Sequence, residues 1–265
     1  GKNAEAAIDN AACRVKEIEN RMSTTIDTSD VSIINRNSGK NPVKVHRDTF
    51  YVIEKAVEYS KKTDGAFDIT IYPIVKLWNI KADSLNIPTN EEIEQKLALV
   101  DYKNIVMDKN ECTVYLKKEG MGIDLGAIAK GYAADEAARI FTENGVKHAL
   151  INMGGNIVAI GSKPDGKPWR IGIRDPRKEE KGQDYLGILD LADKSVVSSG
   201  DYERYMVELY KKSGKRYHHI FDPKTGFPAQ SGLIATTIIA DSSIDADALS
   251  TCLFIMGPYK GFKLL

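Results

Sequence analysis

Apolar positions recur at helical spacing near the start of the chain. Ile8, Ala11, Ala12, Val15, Ile18 and Met22, with charges between them, predict one amphipathic helix over residues 4 to 22. The polar stretch MSTTIDTSDVSIINRNSG shows no clear period, and a second helical pattern then runs from Thr49 to Lys62, ending before Asp64-Gly65. GAFDITIYPIVKLW reads as a loop or a short strand. Thr89 is placed to cap a short acidic helix, NEEIEQKLA, because its hydroxyl can accept a free amide of the first turn.

Strand patterns follow up to Ile123: NIVMD, CTVYLKK and MGIDL, separated by Asn and Gly turns. GAIAKGYAADEAARIFTENG reads as a helix closed by Asn144-Gly145. After it the pattern is mostly extended: HALINMG, NIVAIG, WRIGIRD, LGILDL, SVVSS, RYMVELY, RYHHIFD and LIATTIIA, with Ser213-Gly214 where a hairpin would turn. A last helix starts near Ser242. Helices bunched early and strands bunched late favour an α+β architecture over regular β-α alternation. No internal repeat, low-complexity tract or evident linker breaks residues 1 to 265 into separate domains.

Composition narrows the function classes. Lys plus Arg and Asp plus Glu stand at 37 each, so no global field draws the chain toward nucleic acid or an anionic membrane, and an anionic ligand must be held locally. Cys13, Cys112 and Cys252 are odd in number and far apart, which supports neither a disulfide framework nor a zinc site and leaves the compartment open. No apolar run approaches the roughly 20 residues of a membrane span, and no stretch of residues 1 to 265 reads as a signal peptide. The chain opens Gly1-Lys2-Asn3 without Met, which suggests a processed or trimmed product.

Three stretches could carry chemistry. In SSIDADALSTCLF, Asp247 and Thr251 stand four residues apart on a helix, so a carboxylate and a hydroxyl share a face and can meet one hard cation. An acid favoured by the positive end of the helix, together with a packed threonine, explains the same pair. In DLGAIAKGYAADEA a strand end feeds an Ala-rich helix with Lys130 in its first turn, which suits a phosphate although no P-loop is spelled; close helix packing on a sheet is the other account. In YHHIFDPKTGFP, His219, Asp222 and Thr225 surround a Pro-Lys-Thr-Gly turn, and strand alternation lets only one of His218 and His219 face the same side as Phe221. A strand histidine is a natural proton carrier, or simply a packed residue. The turns NMGGN and SSGDYER bring further polar groups to strand ends.

None of these signals is specific alone, but their order is. FDIT, DLGAIAKGYAAD, NMGGNIVAIG, WRIGIRDP, SSGDYER, HHIFDPKTGFP and DADALSTCLFIMG, between Met22 and Gly257, resemble the ApbE family of flavin transferases. The resemblance implies a T-fold-like α+β single domain, with antiparallel or mixed sheets and packed helices. It would bind FAD as substrate with a divalent cation, usually Mg²⁺. Such enzymes cleave the FAD pyrophosphate, release AMP and join FMN to a Thr or Ser hydroxyl of an acceptor flavoprotein. Asp247, Thr251 and the backbone carbonyl of Ala127 would hold the metal. Asn35, Ala66, Phe67, Asp68, Asp124, Lys130 and Phe221 would contact or line the flavin site. His219 is the candidate to take the proton of the incoming hydroxyl, with Asp247 able to assist.

No Gly-Ala-Thr acceptor motif is present, so the acceptor is expected to be another protein. The resemblance also implies a parent protein longer at both ends. By the same analogy it would be extracytoplasmic, at the cell surface or in the periplasm, and held there by a lipid anchor outside this chain. An FAD pyrophosphatase, a non-catalytic FAD carrier and a ligand-free structural domain are the competing readings. Mass gain on an acceptor, AMP release and FAD binding separate them.

Overall fold

A computed structural model describes residues 2–80, 87–177 and 185–265. Helix α1 (Lys2–Met22) buries Ala7, Ala11, Ile18 and Met22. The buried stripe therefore starts at Ala7, and Ile8, counted in the predicted face, is 54% exposed. Helix α2 (Asp30–Arg36) lies in the stretch that showed no period; Ser29 caps it by accepting the Ser32 amide at 3.0 Å, and seven residues are too few to display a repeat. Strand β1 (Val43–Lys44) and helix α3 (Arg47–Lys62) follow.

The next stretch corrects the sequence expectation. GAFDITIYPIVKLW forms a 3-10 turn over Ile69–Ile71 and helix α4 (Tyr72–Trp78), with Pro73 in the first turn, where its missing N–H costs nothing. Helix α5 (Asn90–Leu97) begins as expected at Thr89, in a capping box with Glu92. Strands β2 (Ile105–Asp108) and β3 (Thr113–Leu116) join β1 in an antiparallel sheet of order β1-β3-β2. MGIDL, expected as a strand, forms no ladder. Asn35 braces it instead: its amide accepts from the Ile123 N–H at 2.7 Å and donates to the Ile123 carbonyl at 3.0 Å.

Helix α6 (Ala129–Glu143) leads into strands β4 (Ala149–Met153), β5 (Asn156–Ile160), β6 (Trp169–Arg174), β7 (Tyr185–Leu191) and β8 (Lys194–Gly200). RYMVELY, expected as a strand, becomes helix α7 (Val207–Ser213) after a single bridge at Tyr205. Gly214, in place of a hairpin turn, closes that helix in the left-handed conformation at φ 69°. RYHHIFD makes only isolated bridges, Tyr205 with His218 and Phe221 with Pro228. Strand β9 (Ala235–Ala240) and helix α8 (Ser243–Gly261) complete the chain, with α8 broken at Gly257 before Pro258.

The larger sheet has the order β4-β5-β8-β9, and β6 with β7 forms a separate ribbon; every ladder among the described residues is antiparallel. Helices α6 and α8 cover one face of the larger sheet. Val158 of β5 packs with Ala134 and Ala137 of α6, and Val197 of β8 and Ile238 of β9 pack with Ala246 of α8. Small residues on both helices let them lie close to the strands. A second core layer joins α1, α2 and α3 to the inner side of α8 through Ile18, Val31, Ile53, Ile244 and Cys252. Arg14 of α1 ties this layer to α6, bonding Glu136 at 2.8 Å and Asp48 of α3 at 2.7 Å. Among the described residues no helix is long and apolar enough to cross a membrane.

Candidate active site

The amino end of α6 and the side of α8 meet at one point, and glycine makes the meeting possible. A Cβ at Gly131 would lie 2.3 Å from the Ser243 carbonyl oxygen, so no side chain fits there. The contact lets each helix cap the other. α6 has no side-chain cap from its own N-cap residue, Ile128. Asp247 of α8 supplies one, accepting the Gly131 N–H on Oδ2 at 2.9 Å. In return Asp135 of α6 accepts the first amides of α8, Ser243 N at 2.7 Å and Ile244 N at 2.9 Å, and the Ser242 hydroxyl at 3.1 Å. Burial raises the Asp135 pKa against the lowering effect of those three bonds.

The other oxygen of Asp247 faces Lys130, whose ammonium stands 3.2 Å away. Asp247 is 1% exposed, so its charge needs such a partner. Thr251 lies one turn further along α8, and its Oγ1 is 3.5 Å from the Ser199 hydroxyl. The Gly131 amide is spent on Asp247, and among the described residues nothing donates to the Ala127 carbonyl. Asp247, Thr251, Ala127 and Lys130 all line one cavity of about 900 Å³, within the range of small-molecule sites.

Phe67, Asp68, Asp124, His219 and Phe221 line the same cavity. Asp68 has both oxygens committed inward: one accepts from the Thr70 amide and hydroxyl at 2.8 and 2.7 Å, the other from the Tyr102 amide at 2.8 Å. Its pKa is nonetheless raised, because burial outweighs these bonds. It fixes the start of the 3-10 turn, so its carboxylate is less free for a ligand than its motif implied. Asp124 likewise accepts from the Gly126 N–H at 2.7 Å, shaping the turn into α6.

Asn35 and Ala66 do not line the cavity. Asn35 has both amide ends on Ile123, directly behind Asp124, so it positions the wall, while Ala66 is buried beside Phe67.

The 217–228 segment is held against α4 by aromatic packing. Trp78 stacks on Tyr217 at 5.7 Å, meets Phe221 at 5.8 Å, and donates its indole N–H to the Gly226 carbonyl at 2.8 Å. The two histidines alternate as expected. His218 turns inward, accepting from the Ile220 N–H and donating to the Ala229 carbonyl, and burial lowers its pKa. His219 faces the cavity with Nδ1 donating to the Arg204 carbonyl at 3.0 Å, which leaves Nε2 as the basic nitrogen. Burial, then the nearby Arg204 guanidinium, pushes its pKa down to about 3, so the ring is neutral at physiological pH.

The sequence reading missed several wall residues, among them Thr24, Tyr72, Asn156, Ser199 and Arg204. Ser199 and Arg204 belong to SSGDYER and Asn156 to NMGGN, motifs noted as polar turns without assigned roles. Asp135 was missed although it stands four residues beyond Gly131 on the helix already singled out. Among the described residues no group of three His, Cys, Asp or Glu could hold a metal, and the candidate set here is one carboxylate, one hydroxyl and one carbonyl.

The ApbE family model matches residues 2–265. The chain is 38% identical over 251 residues to the FAD:protein FMN transferase of Klebsiella pneumoniae, covering 95% of this chain and 76% of that protein. It is 36% identical over 273 residues to the FAD:protein FMN transferase of Treponema pallidum, covering 98% and 74%. Among solved structures, the ApbE protein of Thermotoga maritima superposes with a TM-score of 0.88 at 37% identity, over 98% of this chain and 82% of that one. The flavin transferase ApbE of Vibrio cholerae superposes at 0.87 with 29% identity, over 98% and 81%. A family match along almost the whole sequence, with the same fold and residues from six of the seven resembling stretches lining one cavity, leaves one conclusion: the chain belongs to the ApbE family.

Proposed function

We propose that this chain is an FAD:protein FMN transferase that uses a divalent cation to move FMN from FAD onto a Thr or Ser hydroxyl of an acceptor protein. The observation that carries the reading is the convergence of Asp247, Thr251, Ala127 and Lys130 with a neutral His219 and the Phe67 and Phe221 rings on one cavity. Relatives that match 95% or more of the chain carry this activity by name.

The donor set fits a hard cation. Asp247, Thr251 and the unclaimed Ala127 carbonyl offer only oxygen, which suits Mg²⁺ and serves soft metals poorly. Asp247 already holds the positive charge of Lys130, so a cation bound there would free that ammonium for the ligand. When bound, the metal would supply positive charge to the diphosphate oxygens as the leaving AMP gains charge.

The chain's own groups do the rest. The positive end of α6, where the Lys130 amide alone of the first three has no acceptor among the described residues, and the Lys130 ammonium attract the diphosphate. Phe67, Tyr72 and Phe221 offer apolar surface to the flavin ring. The acceptor hydroxyl attacks the FMN-side phosphorus, the P–O bond to AMP breaks, and AMP departs with the electron pair. The hydroxyl proton passes to His219 Nε2, whose ring is held by the Arg204 carbonyl. Asp247 could assist, although the Gly131 amide and Lys130 already occupy its oxygens.

Incubation with FAD, Mg²⁺ and a Thr-bearing acceptor tests the reading, with the acceptor weighed by mass spectrometry. FMN mass on the acceptor and equimolar AMP are expected. AMP without acceptor gain would replace transfer by hydrolysis, and FAD binding without AMP under any metal would make the chain a carrier. Extracytoplasmic placement through a lipid anchor belongs to the same proposal and rests on family resemblance; detergent partition of the full-length protein tests it.

A further inference from the structure

Asn156 is 1% exposed, lines the cavity, and its Nδ2 has no hydrogen-bond partner. Buried amide donors are almost always satisfied, and an orphan costs folding free energy that an apolar residue of similar size would not. Its place in the sheet shows what it faces. Asn156 begins β5 and pairs with Val197 of β8. Side chains two apart on a strand share a face, so Asn156 lies on the side where Val158 packs on α6, and Ser199 lies on the side where Val197 packs on α8. That is the face that carries Asp247 and Thr251. Ser199 confirms the neighbourhood, since its hydroxyl bonds Ser250 at 2.7 Å and stands 3.5 Å from Thr251. The turn before Asn156, through Gly154, also lines the cavity.

We propose that Asn156 is a binding group of the transfer site, whose side-chain amide donates to a phosphoryl oxygen of the bound dinucleotide. The inference rests on the FAD reading above and adds to it a donor on the sheet side, opposite the amino end of α6. The aromatic wall is made by α4 and the 217–228 segment, whereas Asn156 belongs to the polar wall with Ser198 and Ser199, where oxygens rather than rings are the fitting partner. A half-turn of the planar amide exchanges its oxygen and nitrogen without moving its neighbours, so the donor can face the cavity when the ligand arrives.

The test compares wild type with Asn156→Ala and Asn156→Asp, measuring FAD dissociation constants by flavin fluorescence and melting temperatures of the FAD-free proteins. Both variants are expected to bind FAD about tenfold or more weakly, the scale of one hydrogen bond to a charged oxygen, with the Asp variant weaker because it adds repulsion. Their FAD-free melting temperatures should stay within about 2 °C of wild type, since no partner is lost. Unchanged FAD affinity in both variants overturns the assignment. A fall of more than about 5 °C in both FAD-free proteins also overturns it, by showing that the amide has a partner without ligand. Wild type that binds no FAD would remove the transferase reading itself, a result distinct from either of these.

Discussion

The Gly131 N–H donates to Asp247 Oδ2 at 2.9 Å, across a helix contact so tight that a Cβ at residue 131 would stand 2.3 Å from a carbonyl oxygen. Asp247 thus caps a helix other than its own with one oxygen, while the other, paired with Lys130, is the one proposed to meet a cation. The sequence weighed a cation ligand against an acid favoured by the positive end of its own helix and a packed threonine. The cap on α6 is a further duty that neither explanation contained.

Gly131→Ala should therefore damage stability and binding together. The atoms it would strike, Ser243 O and Ile244 Cα, are backbone and cannot swing aside. A loss of about 1–3 kcal/mol in denaturant unfolding is expected, with weakened FAD binding. Wild-type stability in this variant would show that the two helices are not in such contact.

Asp247→Asn and Asp247→Ala should separate the two duties. Asparagine keeps an oxygen to accept the Gly131 amide but loses the charge, so activity at limiting Mg²⁺ should fall about 10²-fold or more while stability changes little. Alanine should lose the activity and, in addition, about 1 kcal/mol of stability. Full activity of either variant at limiting Mg²⁺ would remove Asp247 from the metal site.

Asp135 does not line the cavity, yet it holds the start of α8 through three hydrogen bonds. Asp135→Ala is expected to cost about 1–2 kcal/mol, the range for lost helix caps, and to weaken apparent Mg²⁺ affinity more than kcat at saturating Mg²⁺. Denaturant titration and a metal titration of activity read the two effects.

His219→Ala should lower turnover by about 10²-fold, the usual scale of general base help. With its pKa pushed down to about 3, His219 should place no acid limb near pH 6.5 in the kcat/KM profile. A limb there that vanishes in His219→Gln would contradict the neutral, desolvated ring.

The same shift has a sign for stability. The folded-state pKa of His219 lies below its ordinary 6.5, so the unfolded chain binds the proton first as pH falls. Its contribution is complete above about 6.5 and is lost as pH drops toward about 3. His219→Gln should therefore lose at most about 1 kcal/mol less than wild type between roughly pH 6.5 and 5.5. Comparing the two proteins cancels the opposing effect of Asp68 and Asp135, whose pKa values are raised by burial.

Local signals in the sequence were legible where one element carries them. The Thr89 capping box, the long helices and the Asp247–Thr251 spacing all survive in the fold. Alternation misled where a short helix presents apolar residues two apart, as Val207 and Leu209 do in α7. Asp135 and Asn156 escaped for another reason. Their roles depend on partners brought by distant strands and helices, 107 residues away for Asp135 and Ser242, and no spacing along one element encodes that. Asn35 sits between these cases, because the motif marked its neighbourhood but only its two bonds to Ile123 show that it acts on the wall.

The mutual capping of α6 and α8 means that this enzyme cannot be half made. Residues 131 and 247 are 116 positions apart. A nascent polypeptide still lacking α8 has no acceptor for the Gly131 amide, and α8 made without α6 has no Asp135 to hold its first amides, so the wall where the two helices meet takes shape only once both have been synthesised.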